Sequence, residues 1–398
     1  MAKLTVRDID VSGKRVLVRV DFNVPFDEKT GEITDDSRIR ASLPTINYLL
    51  ERGARVILCS HLGRPDGKVV DKLRLTGVAR RLSQILGKQV AVTRDAIGPE
   101  TSEAVESLRS GEVLLLENLR FHAGEEENDP AFARKLAELA DLFVNDAFGT
   151  AHRAHASTAG ITRYLPSVAG FLMQKELETL GSILTSPAHP FAGLVGGAKV
   201  SDKVSMLENI MDKVDFLLIG GGMAATFLKA NSYEVGLSLI EEDRLDTAIE
   251  LVGKAADNGV TLFLPVDVVV ADEISAGAES RVVSIENIPP RQKIVDIGKQ
   301  TIDRFSEELR KCKTVFWNGP MGIYEIPGFA EGTQAMAKLL AELDATTVIG
   351  GGSTAEIVTN LGLTDKMSFV STGGGASLNF LGGSKLPGVE ALLDKDSN

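Results

Sequence analysis

Two cysteines, one tryptophan and five histidines in 398 residues leave little material for a disulfide framework, an aromatic cage or a histidine-rich metal centre. Cys59 and Cys312 lie far apart, form no C-x-x-C pair and sit beside apolar, strand-like segments, so they read as reduced core thiols. His152 and His155 are three apart, but no carboxylate or thiol stands beside them at ligand spacing, which argues against zinc. No apolar stretch approaches the ~18 residues of a membrane span, and the opening MAKLTVRDIDVSGK has no apolar core of a leader peptide. A cytoplasmic protein without a membrane partner is expected. Excess positive charge is missing too: 43 Lys and Arg against 55 Asp and Glu give −12, the wrong sign for a nucleic-acid scaffold. Neither G-x-x-x-x-G-K-[ST] nor G-x-S-x-G occurs, which removes P-loop nucleotidases and serine hydrolases of the elbow type.

What is present is an ordinary globular composition, 43% hydrophobic and 25% charged, on a chain longer than the ~250–300 residues one core sustains. Short Val/Ile/Leu-rich runs at 15–20, 55–60, 113–117, 142–145, 191–195, 216–219, 261–264, 314–317, 347–349 and 368–370 read as buried strands. Segments of helical period lie between them, at 38–51, 131–139, 244–256, 297–309 and 333–343. Strand alternating with helix predicts an α/β protein of parallel sheets covered by helices on both faces. A helical stretch at 174–184 followed by Thr185, Ser186 and Pro187 is the expected boundary, with 174–187 as linker helix and hinge between domains 1–173 and 188–384. Charge changes there as well. Residues 1–180 hold 25 basic and 26 acidic side chains, leaving 18 of the 43 and 29 of the 55 for the remainder.

In open parallel sheets, ligands bind beyond the carboxyl ends of the strands, where helix N-termini present unpaired N–H groups. Five turns of the C-terminal half fit that use: Gly196-Gly197-Ala198-Lys199, Gly220-Gly221-Gly222-Met223, Asn318-Gly319-Pro320-Met321-Gly322, Gly350-Gly351-Gly352-Ser353-Thr354 and Thr372-Gly373-Gly374-Gly375. One Gly-Gly after a strand is usually just a tight turn. Five along one sheet edge point to phosphate, with Lys199 and Lys203 adding charge. The N-terminal half carries a different set at its strand ends: Asp21, Asn23, His61, Arg64, Arg120, His152 and Arg153, with Arg38 opening the first helix. Converging guanidinium groups suit a small polyanion, because their forked donors match phosphate and carboxylate. The residues alone leave two other readings open. Gly220–Ala225 fits G-x-G-x-x-A, so a nicotinamide-dependent oxidoreductase is one; a hinged anion-binding protein without catalysis is the other.

The motifs VRVDFNVP, SHLGRP, LENLRFH, NDAFGTAHRAHAS, GGAKVSDK, GGGMAATFL, WNGPMGIYE and STGGGASL, in this order and spacing, resemble the phosphoglycerate kinase family over essentially the whole chain. The resemblance implies two Rossmann-like domains joined by a hinge, with 385–398 packing back on the first. The first domain would bind 3-phosphoglycerate or 1,3-bisphosphoglycerate and the second ADP or ATP with Mg²⁺. The enzyme is expected to be a glycolytic monomer. By the same resemblance Asp21 and Asn23 would hold the substrate hydroxyl and chain. His61, Arg64, Arg120 and Arg153 would take its phosphate and carboxylate, and Arg38 and Lys199 the phosphoryl in transit. Lys203 would meet the nucleotide phosphates, Glu325 the ribose, and Gly197, Gly221, Gly222, Asn318, Gly350, Gly351, Gly352, Ser353 and Thr354 the rest of the nucleotide. Gly373, Gly374 and Gly375 would point N–H groups at the transferring group.

The chain departs from the family at two places. Ser353 stands where Asp usually binds the nucleotide's Mg²⁺, so no protein ligand for the metal is certain, and Asn379 stands where Glu is common. Ser353-Thr354-Ala355-Glu356 also spells a capping box, in which Ser353 would cap the following helix.

Overall fold

A computed structural model describes residues 2–27 and 29–395, which fall into two compact units. Unit 1 comprises Met1–Glu178 and Lys385–Asn398, and unit 2 Thr179–Ser384. Each is built on a six-stranded, wholly parallel sheet.

In unit 1 the strands are β1 (Arg15–Arg19), β2 (Arg55–Cys59), β3 (Val90–Val92), β4 (Val113–Leu115), β5 (Leu142–Asn145) and β6 (Ser167–Ala169), in the order β3-β4-β2-β1-β5-β6. The central strands are buried on both faces, which is why they appear as continuous apolar runs. Helix Ser37–Glu51 turns Ile39, Ser42, Thr45, Ile46 and Leu49 inward at helical spacing. Helix Pro130–Ala137 starts with Pro at its first turn and with the Asp129 carboxylate accepting from Phe132 N at 2.7 Å, the pairing expected of a capped N-terminus. From β1 the chain first builds one side of the sheet and later returns to place β5 on the other. The reversal point therefore lies between β1 and β5, where such sheets bind ligands.

The last described residues complete this unit. Leu4 N donates to Leu393 O at 2.8 Å and Leu393 N to Ser167 O at 3.0 Å, while Lys3 pairs with Asp394 at 2.7 Å. The short helix Pro387–Glu390 follows the same edge: Gly388 N donates to Ala151 O at 2.8 Å, and Asn145 Nδ2 to Gly388 O at 3.0 Å.

Unit 2 orders its strands β15-β14-β13-β7-β8-β9, with β7 (Phe191–Val195), β8 (Phe216–Ile219), β9 (Thr261–Phe263), β13 (Thr314–Asn318), β14 (Thr346–Gly350) and β15 (Phe369–Val370). Its reversal point lies between β7 and β13. Trp317, fully buried in β13, anchors the core, and its indole N–H reaches Gly319 O at 2.8 Å. A three-stranded antiparallel sheet, β11-β10-β12, was not expected from the sequence. It consists of β10 (Asp267–Ala271), β11 (Ser280–Ser284) and β12 (Lys293–Ile297). Among the described residues no helix is long and apolar enough to cross a membrane. Both cysteines are free and buried, and burial pushes each thiol up to about 12.

Candidate active site

The unit 1 cluster grows from the ends of β1, β2, β4 and β5. Asp21 follows β1, and its Oδ2 accepts from Arg38 Nη1 at 2.6 Å, so the first turn of helix Ser37–Glu51 is tied to the strand end. Asn23 Oδ1 accepts from Gly63 N at 2.9 Å, which couples the β1 and β2 loops. His61 is buried beside them, while Arg64 is exposed with no ion pair among the described residues. Arg120 sits in a 3₁₀ turn after β4; its Nη1 donates to Gly63 O at 2.8 Å. Its Nε is 3.2 Å from Glu126 but off the N–H direction, so that contact is electrostatic rather than a hydrogen bond. Arg153 follows β5 and donates from Nε to His152 Nε2 at 3.3 Å.

So much positive charge suppresses protonation nearby. His61 is held well below its ordinary value, by burial first and then by Arg19, Arg120, Arg38 and Arg153. His155 is lowered to about 4 by burial and by Arg120, Arg19, Arg153 and His152. An unfolded histidine titrates near 6.5, so below that pH the unfolded chain binds a proton that folded His155 refuses. Stability is lost as pH falls from about 6.5 toward 4. Asp146 and Asp296, raised by burial to about 7, act with the opposite sign. The measurable quantity is therefore a difference. Urea unfolding at pH 7.0 and 4.5 is expected to show that His155→Gln removes on the order of 2 kcal/mol of acid destabilisation. Equal pH slopes for the two proteins would refute the assignment.

In unit 2 three glycine turns pack against one another at the reversal point. Gly196 N donates to Asn318 O, Gly197 N to Pro320 O, Gly221 N to Met321 O and Met223 N to Gly197 O, all at 2.9–3.0 Å. A Cβ on Gly196 would lie 2.2 Å from Pro320 O, and one on Gly319 2.4 Å from Gly196 O. Glycine is required here by close backbone approach.

Above the turns a cavity of about 810 Å³ is walled by Leu237, Leu239, Ile240, Ile274 and Ile323, with Glu325, Lys293 and Asp296 at its polar edge. A polar cavity of about 270 Å³ shares Gly197, Ala198 and Pro320 with it and is lined by Lys199, Asp202, Lys203, Asn318, Gly351, Gly352, Ser353, Thr354, Gly374 and Gly375. An apolar chamber opening onto a glycine- and lysine-lined one has the shape and chemistry for a nucleoside carrying phosphates. Lys203 is buried, lowered by burial to about 8, and rests on the Asn318 side-chain oxygen. Gly221 and Gly222 line the larger cavity; Gly350 and Gly373 line neither.

The phosphoglycerate kinase family model matches residues 6–384. The chain is 58% identical over 395 residues to a phosphoglycerate kinase of Pelotomaculum thermopropionicum, covering 99% of this chain and all of that one. The chain belongs to the phosphoglycerate kinase family. A relative from Moorella thermoacetica is 56% identical with the same coverage. Among solved structures, the phosphoglycerate kinase of Coxiella burnetii superposes with a TM-score of 0.87 at 44% identity, and that of Pyrococcus horikoshii with 0.86 at 34%, each covering 98% of both chains. The fold is thus that of a phosphoglycerate kinase, a phosphotransferase, and the oxidoreductase reading is set aside.

One local expectation is overturned. The helix Gly352–Asn360 begins before Ser353, with Gly351 at the N-cap and no side-chain cap. Asn318 Nδ2 lies 2.8 Å from where a Gly351 Cβ would be, and Gly351 takes φ +92°, so the chain enters the helix two residues earlier than a Ser353 cap would allow. Thr354, not Ser353, is the buried hydroxyl: its Oγ1 accepts from Gly319 N at 2.7 Å. Ser353 is left exposed on the cavity wall.

Sequence reasoning also missed residues that shape the site. Glu241 accepts from Val200 N at 2.6 Å and from Ser201 N at 3.1 Å, pinning the turn that bears Lys199 and Lys203. Asp296 accepts from Ile297 N and Gly332 N, both at 2.8 Å, at the wall of the larger cavity. Neither belongs to a motif, and each acts on a segment distant in sequence.

Proposed function

We propose that this chain catalyses reversible phosphoryl transfer between 1,3-bisphosphoglycerate and MgADP, giving 3-phosphoglycerate and MgATP, as a cytoplasmic monomer in glycolysis or gluconeogenesis. The observation that carries the reading is the pair of conjoined unit 2 cavities, one apolar and one lined by glycine N–H groups and two lysines. The cationic strand-end cluster of unit 1 supplies the complementary site for a small phosphorylated acid. A carboxyl oxygen of the acid attacks in line, or leaves in line, and no protein nucleophile is required. Arg64, Arg120 and Arg153 neutralise the substrate's anionic ends, and Asp21 and Asn23 orient its hydroxyl. Arg38, Lys199 and the N–H groups of Gly373–Gly375 face the charge spread over the moving phosphoryl. The test is a coupled assay: 3-phosphoglycerate and MgATP should yield an acyl phosphate trapped by the next enzyme of the couple, and no turnover would end the proposal.

Placing the acid on one unit and the nucleotide on the other makes closure part of catalysis, since water must be kept from the activated phosphate. Saturating both ligands together is expected to reduce the radius of gyration in small-angle scattering more than either alone. Equal radii in all ligation states would contradict closure.

The family also implies Mg²⁺. Among the described residues Asp202 is the one carboxylate lining the polar cavity, and the exposed Ser353 lines it too. That donor set fits an ion carried in on nucleotide phosphates and still partly hydrated, because Mg²⁺ commonly uses one or two carboxylates with phosphate and water. Bound there, the ion would neutralise phosphate charge. Asp202 and Ser353 would be the residues to hold it. Ser353→Asp is accordingly expected to lower the half-saturating Mg²⁺ about tenfold, the equivalent of ~1.4 kcal/mol. Magnesium titration at fixed total nucleotide checks this, and unchanged midpoints would show that residue 353 does not govern the metal.

A further inference from the structure

We propose that Glu125, Ser157 and Arg19 form a buried hydrogen-bond chain that fixes His61 as the neutral tautomer with its proton on Nε2, so that the ring meets the anionic substrate as a hydrogen-bond donor and not as a positive charge. The inference rests on the reading of the unit 1 cluster as the substrate site.

The argument is an accounting of donors. A guanidinium group has five N–H donors and no acceptor. Arg19, in β1 and 0% exposed, directs Nη1 to Val20 O, Nε to Ser157 Oγ at 2.8 Å and Nη2 to His61 Nδ1 at 3.2 Å. Nδ1 must therefore accept. Its nearest carboxylate oxygen, Asp21 Oδ1, is 3.9 Å away, beyond hydrogen-bond reach, and the other oxygen of Asp21 is occupied by Arg38. Arg19, Arg38, Arg120 and Arg153 act on the ring, with Asp21 at 3.9 Å and Glu125 behind Arg19, so a second ring proton is opposed from several sides. The remaining proton sits on Nε2, which has no partner among the described residues.

The far end of the chain is equally determined. Ser157 Oγ accepts from Arg19, so its single proton goes to Glu125 Oε1 at 2.5 Å, and Ser157 N donates to Oε2 at 2.9 Å. Glu125 is 0% exposed, and Arg19 Nη2 stands 4.0 Å from its Oε1. The carboxylate thus holds the serine, the serine holds the guanidinium, and the guanidinium sets the imidazole. Glu125, Ser157 and Arg19 are positioning residues, and only His61 would touch the substrate.

The test is the two-bond ¹H–¹⁵N histidine spectrum of the ligand-free protein between pH 5.5 and 8.0. His61 is expected to show an unprotonated Nδ1 and a protonated Nε2 across the range. Ser157→Ala should release a second tautomer or restore titration, and raise the KM for 3-phosphoglycerate about tenfold with kcat within about twofold. His61→Gln, whose amide nitrogen overlies Nε2, should retain more affinity than His61→Asn, whose amide nitrogen overlies Nδ1. A doubly protonated ring at pH 7, an Nδ1–H tautomer, or Asn performing as well as Gln would overturn the proposal. A neutral Nε2–H ring that does not respond to 3-phosphoglycerate would uphold the tautomer and overturn the substrate assignment.

Discussion

Arg38→Ala is expected to lower kcat by about 10²–10³ while changing the KM for 3-phosphoglycerate far less. The guanidinium lies at the first turn of its helix and is held by Asp21 at 2.6 Å, so it is aimed before any ligand arrives. A group that matters chiefly when charge is in transit affects the chemical step more than binding. Truncation also leaves the nearly buried Asp21 carboxylate without its partner, and that alone would repel an anion. The double variant Arg38→Ala with Asp21→Asn separates the two effects. If kcat stays low when the orphaned charge is gone, the guanidinium itself acts on the phosphoryl. A pure KM effect in steady-state kinetics would mean that Arg38 serves only the ground state.

Gly221→Ala should abolish measurable nucleotide affinity, with a loss of at least ~100-fold, and cost about 2–4 kcal/mol of stability. Gly221 adopts φ +67°, and an added Cβ would fall 2.5 Å from Gly197 N and 2.7 Å from both Gly197 O and Pro320 O. Those atoms are backbone. They are fixed by the hydrogen bonds joining Gly197 to Pro320 and Met223, so the turn has nowhere to move. Gly253, within helix Leu245–Asp257, is the control: nothing lies within 4 Å of its added Cβ, and Gly253→Ala should stabilise by ~0.5–1 kcal/mol. Calorimetric nucleotide titration and thermal melting of both variants decide the matter. Near-normal affinity in Gly221→Ala would show that these turns do not cradle the nucleotide.

Much of the framework was legible because its elements obey local rules. The strands Leu142–Asn145, Phe191–Val195 and Phe216–Ile219 were read end to end, since each is a continuous apolar run closed by turn residues or glycine. Val90–Val92 and Ser167–Ala169 are too short to establish a period, and Ser280–Ser284 is solvent-facing along most of its length, so it lacks the apolar signal of a buried strand. Residue 297 was read as the start of a helix, but Ile297 ends β12, and Gly298 separates it from helix Lys299–Leu309. The glycine turns were visible because close approach permits only one residue type. Glu241 and Asp296 were not, because a carboxylate that supports a turn 40 or 36 residues away leaves no local pattern. Ser353 shows the converse failure, where a sound capping rule lost to Gly351, whose φ of +92° starts the helix two residues earlier.

The tail that closes unit 1 also dictates an order of assembly during synthesis. Every residue of unit 2 leaves the ribosome before Lys385 does, so unit 2 can finish folding while unit 1 still lacks Gly388, Leu393 and Asp394. At ~5–20 residues per second, that interval lasts on the order of ten seconds or more for a segment as long as unit 2. Through it, Leu4 N, Ser167 O and Ala151 O have no chain partner at the β6 side of the sheet. Unpaired strand edges recruit other chains. The nascent protein is therefore most prone to association before Gly388 and Leu393 appear, and a chaperone that shields that edge would act in that interval.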